Sequence, residues 1–516
     1  MRLGIDFGTT RTVVAAVRDG RQPLVAFDEG GEFREHVPGI AARRGGELLF
    51  GWDAARVLAD GSAEHAVRSI KRLAGALAPD DEAMPGVSVL DLVTGFLARL
   101  RRALLEGSNL EPGGGRKRSA RDARRRGPGD EPLEAMVAVP ASATSRQRWL
   151  TLEAFRRAGF EPIGLLNEPT AAAVELAHHH LELGKKSPKR YVVVYDLGGG
   201  TFDCSAVSLE GRRFELIASE DLPQLGGDDF DALVLDAAGV PHTPAALERA
   251  REAKETLRPA SRRLLLDLDA LGHAEPIAID VAALYARAQP LIDRTLAQTD
   301  ALFERLRERG IDPDDPRELG GLYLVGGGAA FPAVARTLRA RFARKLQLAP
   351  QPFAATAIGL AIAADPGANV MIREAITRHF GVWREGEHGV DKVFDPLLGK
   401  DTPARGPIVV SRRYRPAHAV GHLRYLECSA HDAAGQPVHD LVPCTDVFFP
   451  YDPALADRAE LASVPNGRRP ELMANEIAET YTYAPDGTIS VQIANVTRGY
   501  ARTFELGALR APPSPA

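Results

Sequence analysis

The sequence is organised around the stretch Tyr191-Val192-Val193-Val194-Tyr195-Asp196-Leu197-Gly198-Gly199-Gly200-Thr201-Phe202-Asp203. Its first five residues are β-branched or aromatic, which predicts a short buried strand, and the glycines predict a tight turn into a second strand. Because glycine has no Cβ, the backbone N–H groups of this turn can approach a phosphate closely. Asp196 and Asp203 flank the turn, where a carboxylate can hold hydrated Mg²⁺ or a water molecule. The stretch therefore predicts a phosphate-binding turn between two strands.

A near copy of this motif lies at the N-terminus, in Leu3-Gly4-Ile5-Asp6-Phe7-Gly8-Thr9-Thr10. It also combines an apolar strand, a carboxylate near the strand end and a turn with glycine and threonine. Strands are predicted at 3–8, 12–17 and 23–27, with tight turns between them. Two such turns in one chain predict two pseudo-equivalent lobes that bind one polyphosphate from both sides.

Length and composition are those of a soluble globular protein with two or more domains. The chain has 516 residues, of which 45% are hydrophobic and 26% charged, which is ordinary for such proteins. Its net charge of −5 gives no general reason to expect nucleic acid as a partner. No apolar run approaches the roughly 20 residues that span a bilayer, and the N-terminus has no signal pattern. The 3 cysteines form no metal-type cluster, and an odd count fits a reducing compartment. We therefore expect a cytoplasmic, bacterial protein.

Four segments resemble, in order and spacing, the ATPase domain of the DnaK-type chaperones, the 70-kDa heat-shock protein family. They are 4–10, Asn167-Glu168-Pro169-Thr170-Ala171-Ala172-Ala173, 196–203 and Leu324-Val325-Gly326-Gly327-Gly328. The resemblance covers residues 1–365 well and the remainder weakly. It implies an α/β chain in which an actin-like, ribonuclease-H-like two-lobed ATPase domain precedes a small β-sandwich. The implied boundaries are 1–365 for the ATPase domain, about 226–310 for an upper subdomain of its second lobe, 366–375 for a linker and 376–510 for the sandwich.

The resemblance also implies ATP or ADP and Mg²⁺ as cofactors and assigns the residues of their site. The catalytic residues would be Lys71, Glu168, Thr201 and Asp203. Hydrated Mg²⁺ would be held through water by Asp6, Glu168 and Asp196. The nucleotide would be contacted by Gly8, Thr9, Thr10, Gly198, Gly199, Gly200, Thr201, Gly227, Lys254, Gly326, Gly327 and Gly328. Lys71 would stabilise the charge that develops on the transferring phosphoryl group, and Asp203 would orient the attacking water.

The side chains that frame the base in the family are replaced in this chain, whereas the phosphate motifs are kept. The replaced positions are Arg251, Arg258, Gly328, Ala330 and Phe353. We expect retained phosphate and Mg²⁺ chemistry with an altered base pocket. In that pocket Phe353, Phe331 or an arginine would stack on the base.

Further features concern coupling within the molecule. An Ala-rich helix at 171–177 and a second helix at 351–364 are predicted to cross closely at a hinge between the lobes. Pro140 and Arg148 match a family pair that relays the nucleotide state to the peptide domain, although the segment between them differs. His178, His179 and His180 look like a metal site, but consecutive residues do not share a helix face, so no metal is predicted there.

The Gly- and Arg-rich stretch 112–130 is an insertion relative to the family. It cannot bury a core and is predicted to be a mobile loop. Its basic residues between 116 and 126 could bind an acidic partner or nucleic acid. The favoured interpretation is a solvated loop.

Residues 376–510 show the period of β-strands. Tyr481 and Tyr483 alternate with threonines, and Ile489, Val491 and Ile493 alternate with Ser, Gln and Ala. The turn Pro485-Asp486-Gly487 predicts that the two strands form a hairpin, and 408–428 holds two more candidate strands. The sequence ends without the family's helical lid. A lidless sandwich is expected to hold extended peptide weakly and release it fast.

The favoured function is that of an ATP-hydrolysing, DnaK-like chaperone. Its implied partners are unfolded or extended peptide segments, a J-domain co-chaperone and a nucleotide-exchange factor, with no membrane or nucleic-acid partner. One alternative is a nucleotide-dependent scaffold that hydrolyses hardly any nucleotide. The altered base pocket is the reason for considering it. Another is a small-molecule kinase of the same fold, against which the β-rich C-terminal part argues.

Overall fold

The chain folds into two compact units in a computed structural model that describes residues 1–110, 132–180, 189–386, 391–400, 402–404, 406–465 and 467–507. The first unit comprises Met1–Ser142 and Leu152–Ile372, and the second comprises Ala143–Thr151 and Arg373–Ala516. The predicted basic loop at 112–130 lies outside the described residues. Within the described ranges, every helix is too short or too polar to cross a bilayer.

The first unit contains most of the helices and two large sheets. Its strands are β1 (Arg2–Phe7), β2 (Arg11–Ala16), β3 (Phe27–Glu29), β4 (Glu32–Arg34), β5 (Val37–Pro38), β6 (Ile40–Arg44), β7 (Glu47–Phe50), β8 (His65–Arg68), β9 (Glu82–Met84), β10 (Val87–Ser88), β11 (Glu134–Val139), β12 (Glu161–Asn167), β13 (Tyr191–Leu197), β14 (Phe202–Glu210), β15 (Arg213–Leu222), β16 (Arg263–Leu266), β17 (Ile277–Asp280), β18 (Leu319–Val325) and β19 (Leu346–Leu348). The helices are α1 (Trp52–Ala59), α2 (Ile70–Ala76), α3 (Val89–Glu106), α4 (Ser145–Arg157), α5 (Glu168–His180), α6 (Gly227–Ala238), α7 (Pro244–Glu255), α8 (Val281–Glu308), α9 (Pro332–Phe342) and α10 (Ala355–Ala364). The division between the units passes through α4.

The two large sheets of the first unit repeat one arrangement. One sheet has the order β12-β11-β1-β2-β5, and the other contains β19-β18-β13-β14-β15. In the first sheet, the hairpin of β1 and β2 carries a glycine turn, and β1 also pairs in parallel with β11. In the second sheet, the hairpin of β13 and β14 carries a glycine turn, and β13 also pairs in parallel with β18. Since the carboxyl ends of parallel strands meet at one edge, each hairpin presents its turn at the edge where ligands bind in such sheets.

Two predicted boundaries in the first unit are wrong. Residues 23–26 are not part of a regular strand, and Leu24 makes an isolated bridge to Ala15; a strand begins only at Phe27, the first residue of β3. Pro23 has no N–H to donate, so a regular ladder is interrupted there. The second predicted helix begins at Ala355 rather than at 351, because the carbonyl of Pro352 accepts a hydrogen bond from the amide of Gly326 at 2.9 Å.

The predicted close crossing of two helices involves α5 and α10. A Cβ placed on Gly359 would overlap the carbonyl group of Ala171, so the two helix backbones touch at this point. Gly4 of β1 is equally close to the backbone of α10 at Ala361. The backbone of the buried helix α10 therefore packs directly against the backbones of both β1 and α5.

Phe331 lies in the hydrophobic core of the first unit. It is 4% exposed, and its ring centroid lies 5.0 Å from that of Phe230 and 5.2 Å from that of Tyr285. The expectation that Phe331 stacks on a nucleotide base is therefore wrong. Phe331 is the N-cap residue of α9, and its ring fills the space between that helix, α6 and α8.

The second unit is rich in β-structure. Its strands, beginning with the one in which the division between the units falls, are β20 (Met371–Ala375), β21 (His379–Gly386), β22 (Asp391–Leu398), β23 (Pro403–Ala404), β24 (Ile408–Tyr414), β25 (Val420–Cys428), β26 (Ala430–His431), β27 (Pro437–Val438), β28 (Val442–Pro450), β29 (Ile477–Tyr483), β30 (Ile489–Asn495) and β31 (Tyr500–Leu506). Residues 366–375, predicted as a linker, thus contain a strand. Two four-stranded sheets, β22-β21-β25-β28 and β24-β29-β30-β31, share one hydrophobic core. The hairpin predicted around Pro485-Asp486-Gly487 is confirmed by the pairing of β29 with β30.

A short segment from early in the sequence belongs to the second unit. The amide of Ser145 donates to the carboxylate of Glu427 at 3.1 Å, and the guanidinium of Arg146 donates to the carbonyl of Cys444 at 2.8 Å. The indole N–H of Trp149 donates to Glu505 at 3.2 Å. Glu427 is 4% exposed, and its burial raises the pKa of the carboxyl group despite the nearby Arg378. The Ser145 amide therefore satisfies a buried acceptor that has little access to water.

Candidate nucleotide site

The two glycine turns predicted from the sequence face each other in the first unit. A Cβ placed on Gly199 would lie 2.5 Å from Cγ2 of Thr10, and one on Gly200 would lie 2.9 Å from Cγ2 of Thr9. The structure therefore brings the N-terminal turn with Gly8 and the turn at 198–200 into direct contact. Such closeness of the two turns is what binding of one polyphosphate from two sides requires.

A third glycine segment, at the start of α6, packs under the turn at 198–200. The amide of Gly227 donates to the carbonyl of Gly198 at 2.9 Å, and the amide of Asp228 donates to that of Gly199 at 2.7 Å. A Cβ on Gly226 would lie 2.5 Å from the amide nitrogen of Gly200. The glycines are needed here because three backbone segments approach within van der Waals distance.

Carboxylates from three elements lie close enough to affect one another's ionisation. Asp6 is in β1, Asp196 is in β13 and Glu168 begins α5. Burial, followed by repulsion from Glu168 and Asp6, raises the pKa of Asp196 to about 8, although Lys71 acts in the opposite direction. Burial and Glu168 likewise raise the pKa of Asp6. Such a group of poorly compensated acids is a favourable place for a cation.

Lys71 is the cation among these acids. Its ammonium group is ion-paired with Glu168. Burial alone would lower the pKa of Lys71, but Glu168 and Asp6 outweigh it and raise the pKa, so the side chain stays charged. Lys71 is placed by Ser69, the N-cap residue of α2, which has a left-handed φ of 63° and donates its hydroxyl to Asp228 at 2.9 Å. A strained, non-glycine backbone at this point fixes where α2 starts.

Asp203 lies across the β13–β14 ladder from Asp196. It is 2% exposed, and its Oδ1 has no hydrogen-bond partner within the described part of the chain. Burial, then Asp221 and Glu168, raise the pKa of Asp203 well above its ordinary value. Thr201, which closes the turn by accepting the Gly198 amide at 2.9 Å through its carbonyl, is half-buried beside it. A buried carboxyl oxygen without a partner is suited to a water molecule or a ligand.

These residues fit a hydrated Mg²⁺ ion. The fit rests on the buried acids with raised pKa values and on the unpartnered oxygen of Asp203. Among the described residues, no three His, Cys, Asp or Glu side chains are spaced to bind one metal ion directly. Since Mg²⁺ usually keeps several waters and takes one or two carboxylates, indirect binding through water is the arrangement that suits this set.

Lys254 is held beneath the third glycine segment. Its ammonium donates to the carbonyl of Gly227 at 2.7 Å and lies 2.6 Å from Oδ1 of Asp231, which is fully buried. Arg68 lies 3.5 Å from the other oxygen of Asp231. Lys254 is therefore held in this buried ion pair, where it stabilises the glycine segment that begins α6.

The glycines at 326–328 close the site beside β13. Gly326 has a φ of +88°, and a Cβ there would overlap a carboxylate oxygen of Asp196. A Cβ on Gly327 would lie 2.8 Å from the ring of Phe353. This turn therefore lies between Asp196, one of the clustered acids, and Phe353, which the sequence predicts to be in the base pocket.

The base side of the site contains a contact that the sequence did not reveal. The guanidinium of Arg11 lies 4.3 Å from the ring centroid of Phe353 and is ion-paired with Glu255 at the end of α7. His36 lies in the same region, where burial and then Arg11 lower its pKa to about 3. The sequence predicted that Phe353, Phe331 or an arginine stacks on the base, whereas in the structure Arg11 and Phe353 stack on each other. Stacking of Phe353 or of an arginine on a base stays a prediction.

The remaining predicted residues lie elsewhere. Pro140 follows β11 in the first unit and is half-buried. Arg148 is 4% exposed in α4, donates to the Ala143 carbonyl at 3.3 Å and packs against Gly487 within the second unit. The relay between Pro140 and Arg148 stays a prediction. The rings of His178 and His179 make an edge contact, with centroids 4.9 Å apart.

Comparison with known proteins agrees with this arrangement. A family model described as Hsp70 protein matches residues 128–369. The chain is 34% identical over 377 residues to "Chaperone protein HscA homolog" of Acidithiobacillus ferrooxidans, an alignment that covers 71% of this chain and 58% of that protein. It is 30% identical over 410 residues to "Chaperone protein HscA" of Pectobacterium atrosepticum, covering 74% of this chain and 62% of that protein. The chain belongs to the Hsp70 family.

This Hsp70-family chain spans about 58% of the length of the curated relatives it matches. The family-model match ends at 369, before the β-rich sheets of the second unit begin. Family membership is therefore carried by the unit that contains the glycine turns and Lys71.

Residues that sequence reasoning missed include Ser69, Asp228 and Arg11. Ser69 directly precedes the helix of Lys71, and a serine there is a familiar N-cap signal. Asp228 follows the glycine pair 226–227, where an acid near a helix start is also common. No local signal marks Arg11, because its partners Glu255 and Phe353 are distant in sequence.

Proposed function

We propose that this Hsp70-family chain hydrolyses ATP in its first unit and binds extended peptide segments in its second unit. The observation that carries the proposal is the meeting of two facing glycine turns with one buried lysine and several buried acids. In this proposal the repeated sheets form an actin-like, ribonuclease-H-like two-lobed ATPase, and the second unit forms a β-sandwich. The shared core of the two four-stranded sheets supports the sandwich assignment.

The proposed mechanism assigns each residue a task that its position permits. Backbone N–H groups of the turns at 8–10 and 198–200, with the hydroxyls of Thr9, Thr10 and Thr201, bind the phosphates. Lys71, which stays protonated, stabilises negative charge on the transferring phosphoryl group. Asp203 orients the attacking water with its free oxygen, and Glu168 keeps Lys71 in place through their ion pair.

Asp6, Glu168 and Asp196 would hold hydrated Mg²⁺ in this proposal. When bound, the ion neutralises phosphate charge. The pKa values of Asp6 and Asp196 remain raised although Lys71 lies close to them. One lysine therefore does not balance the three carboxylates, and a bound cation would supply the missing positive charge. The carboxylates would therefore hold the cation through its waters, close to the turns that bind the phosphates.

The proposed partners follow from the family. They are unfolded or extended peptide, a J-domain co-chaperone and a nucleotide-exchange factor. Pro140 and Arg148 are proposed to pass the nucleotide state to peptide binding. The well-packed environment of Arg148, which approaches the backbone of Gly487, supports a positioning role for this side chain.

The proposed function predicts slow ATP turnover that unfolded polypeptide stimulates. The full chain is assayed for phosphate release with ATP and Mg²⁺, with and without a permanently unfolded protein. We expect turnover above that of a Lys71→Ala control and an increase of about twofold or more on adding the unfolded protein. Binding of nucleotide without turnover in either condition would favour a nucleotide-dependent scaffold.

That scaffold is the second candidate function, and the stacked pair Arg11 and Phe353 is the observation that favours it. The pair covers the base side of the site together with Glu255. A nucleoside must displace or stack on this pair, which weakens selection of one base.

We expect poor discrimination between ATP and GTP for the same reason. The preference for ATP should be less than about 10³-fold, or roughly 4 kcal/mol, because side chains that would hydrogen-bond to adenine are replaced. Competitive binding of both nucleotides to the full chain measures it. A preference above about 10³-fold would show that other residues have rebuilt an adenine-specific pocket.

A further inference from the structure

A cavity of about 560 Å³ lies in the second unit, between the ends of β21, β24 and β25 and the connection at 415–418. Residues from both four-stranded sheets line it. Strand β24 is the outer strand of its sheet and, among the described residues, pairs only with β29. A cavity beside an outer strand has the geometry for an extended peptide, which pairs through its backbone and inserts a side chain.

The lining of this cavity is rich in cations. The arginine and lysine side chains that line it are Arg384, Lys392, Arg412, Arg413, Arg415 and Arg424. The lining carboxylates are Glu385 and Asp395. An outer strand often carries charges that prevent unwanted pairing, but Arg384 and Arg424 lie on the other sheet, so the edge of β24 does not account for the cluster.

The carboxylates of the second unit neutralise only part of this charge. Asp395 accepts hydrogen bonds from Arg384 at 2.7 Å and from Arg412 at 2.9 Å. Arg413 is paired with Glu476 at 2.6 Å. Within the described ranges, Lys392, Arg415 and Arg424 are exposed and have no carboxylate oxygen within 4.0 Å. The cavity therefore has a net positive rim.

The floor of the cavity is rigid because a buried carboxylate holds it. Glu479 is fully buried and accepts hydrogen bonds from Arg384 at 2.7 Å and from the hydroxyls of Tyr414 and Tyr481, each at 2.6 Å. The Tyr414 hydroxyl also lies 2.6 Å from that of Tyr451. Arg384 keeps 22% of its side chain exposed. Its guanidinium donates to Asp395 and to both oxygens of Glu479, so these contacts fix its orientation in the floor, and the exposed cations of the rim are the groups that a ligand carboxylate meets.

Apolar groups lie beside the cations. Trp383, Val420 and Leu423 line the same cavity, and Trp383 is only half-buried. A ligand that fills the cavity therefore needs an apolar group next to an anionic one. The net charge of −5 for the whole chain opposes long polyanions, so the local cations select a short anionic segment.

We propose that this cavity binds an extended peptide segment in which a carboxylate side chain adjoins an apolar one. This inference rests on the proposed peptide binding of the second unit and names the class of peptide that the unit prefers. Arg415, Arg424 and Lys392 attract and bind the acidic side chain, and the half-buried Trp383 contacts the apolar neighbour.

The test measures binding of three fluorescent peptides to the full chain. The peptides share their apolar residues and length and carry glutamate, glutamine or lysine at the same positions. We expect the glutamate peptide to bind at least about tenfold more tightly than the lysine peptide at low salt, with the difference shrinking at high salt. Equal or tighter binding of the glutamine or lysine peptide overturns the inference, while leaving peptide binding itself established. Failure of all three peptides to bind contradicts the proposed peptide binding and removes the inference with it.

A charge-reversal variant locates the effect. Replacing both Arg415→Glu and Arg424→Glu should weaken binding of the glutamate peptide at least about tenfold and change binding of the glutamine peptide by less than about twofold. Arg458→Glu reverses the charge of one exposed arginine outside the cavity lining and should leave the binding of both peptides unchanged. An unaltered glutamate preference in the double variant overturns the assignment to this cavity. Tighter binding of a single-stranded oligonucleotide than of the glutamate peptide overturns the peptide class.

Discussion

Lys71→Ala is expected to slow ATP hydrolysis by about 10²-fold or more while nucleotide still binds. Among the residues that the structure describes, the ammonium group is the cation paired with this group of acids, and its raised pKa keeps it charged. Its charge matters most when negative charge spreads over the transferring phosphoryl group, so its loss raises the barrier more than it weakens ground-state binding. Single-turnover hydrolysis rates, set beside titrated nucleotide affinity, measure the two effects separately.

Two further variants make the Lys71 result interpretable. Lys71→Arg keeps the charge and should retain more activity than the alanine variant. Lys345→Ala removes another ion-paired lysine of the first unit, whose partner is Asp314 at 3.0 Å, and should hydrolyse ATP normally. If Lys71→Ala hydrolyses ATP like the unaltered chain, Lys71 has no part in the mechanism.

Gly359→Ala is expected to lower the melting temperature of the first unit by at least about 5 °C. In an ordinary helix this substitution is stabilising by roughly 0.5–1 kcal/mol, because glycine loses more conformational freedom on folding. Here the added methyl group overlaps the carbonyl of Ala171 in α5, and a backbone cannot yield as a side chain does. The shift should also move Glu168 at the start of α5, so ATP hydrolysis should fall with stability.

Gly107→Ala is the matched control for this substitution. Gly107 is the C-cap residue of α3, its φ is −141°, and the nearest atoms to a Cβ would be 3.8 Å away. Thermal unfolding followed by circular dichroism compares the two variants. An unchanged or raised melting temperature for Gly359→Ala would contradict the close crossing of α5 and α10.

Much of the local structure could be predicted because it is encoded by nearby residues. The run of β-branched residues before the glycines at 198–200 specifies β13, and alternation with a Pro-Asp-Gly turn specifies the hairpin of β29 and β30. The prediction failed at 23–26, where an apolar segment that begins with Pro23 makes an isolated bridge at Leu24 instead of a regular strand. It also failed at Phe331, because the direction of that side chain depends on how α9 packs against α6 and α8.

The candidate site was predicted as a set of residues but not as a set of contacts. Glycine motifs and their flanking acids are visible locally, whereas the ion pair of Lys71 with Glu168 joins positions 97 residues apart. The stacking of Arg11 on Phe353 depends on a still longer separation. The positive cavity of the second unit was not predicted, since its arginines come from β21, β24, β25 and the connection at 415–418, which are separate stretches of the sequence. Charge clustering of this kind appears only after the strands are paired.

The segment Ala143–Thr151 has a consequence for the order in which the chain is made. It belongs by contact to the second unit, yet Arg373, where the rest of that unit begins, is synthesised roughly 220 residues later. At about 5–20 residues per second, a ribosome needs roughly ten to forty seconds to cover that interval. Glu427, the acceptor of the Ser145 amide, is 282 residues from Ser145 and is synthesised later still, so the second unit cannot finish folding until both pieces of chain have been released. A fragment that begins at Arg373 would leave the buried Glu427 without this donor. The second unit therefore has to be produced together with Ala143–Thr151, although most of the first unit lies between the two pieces in the sequence.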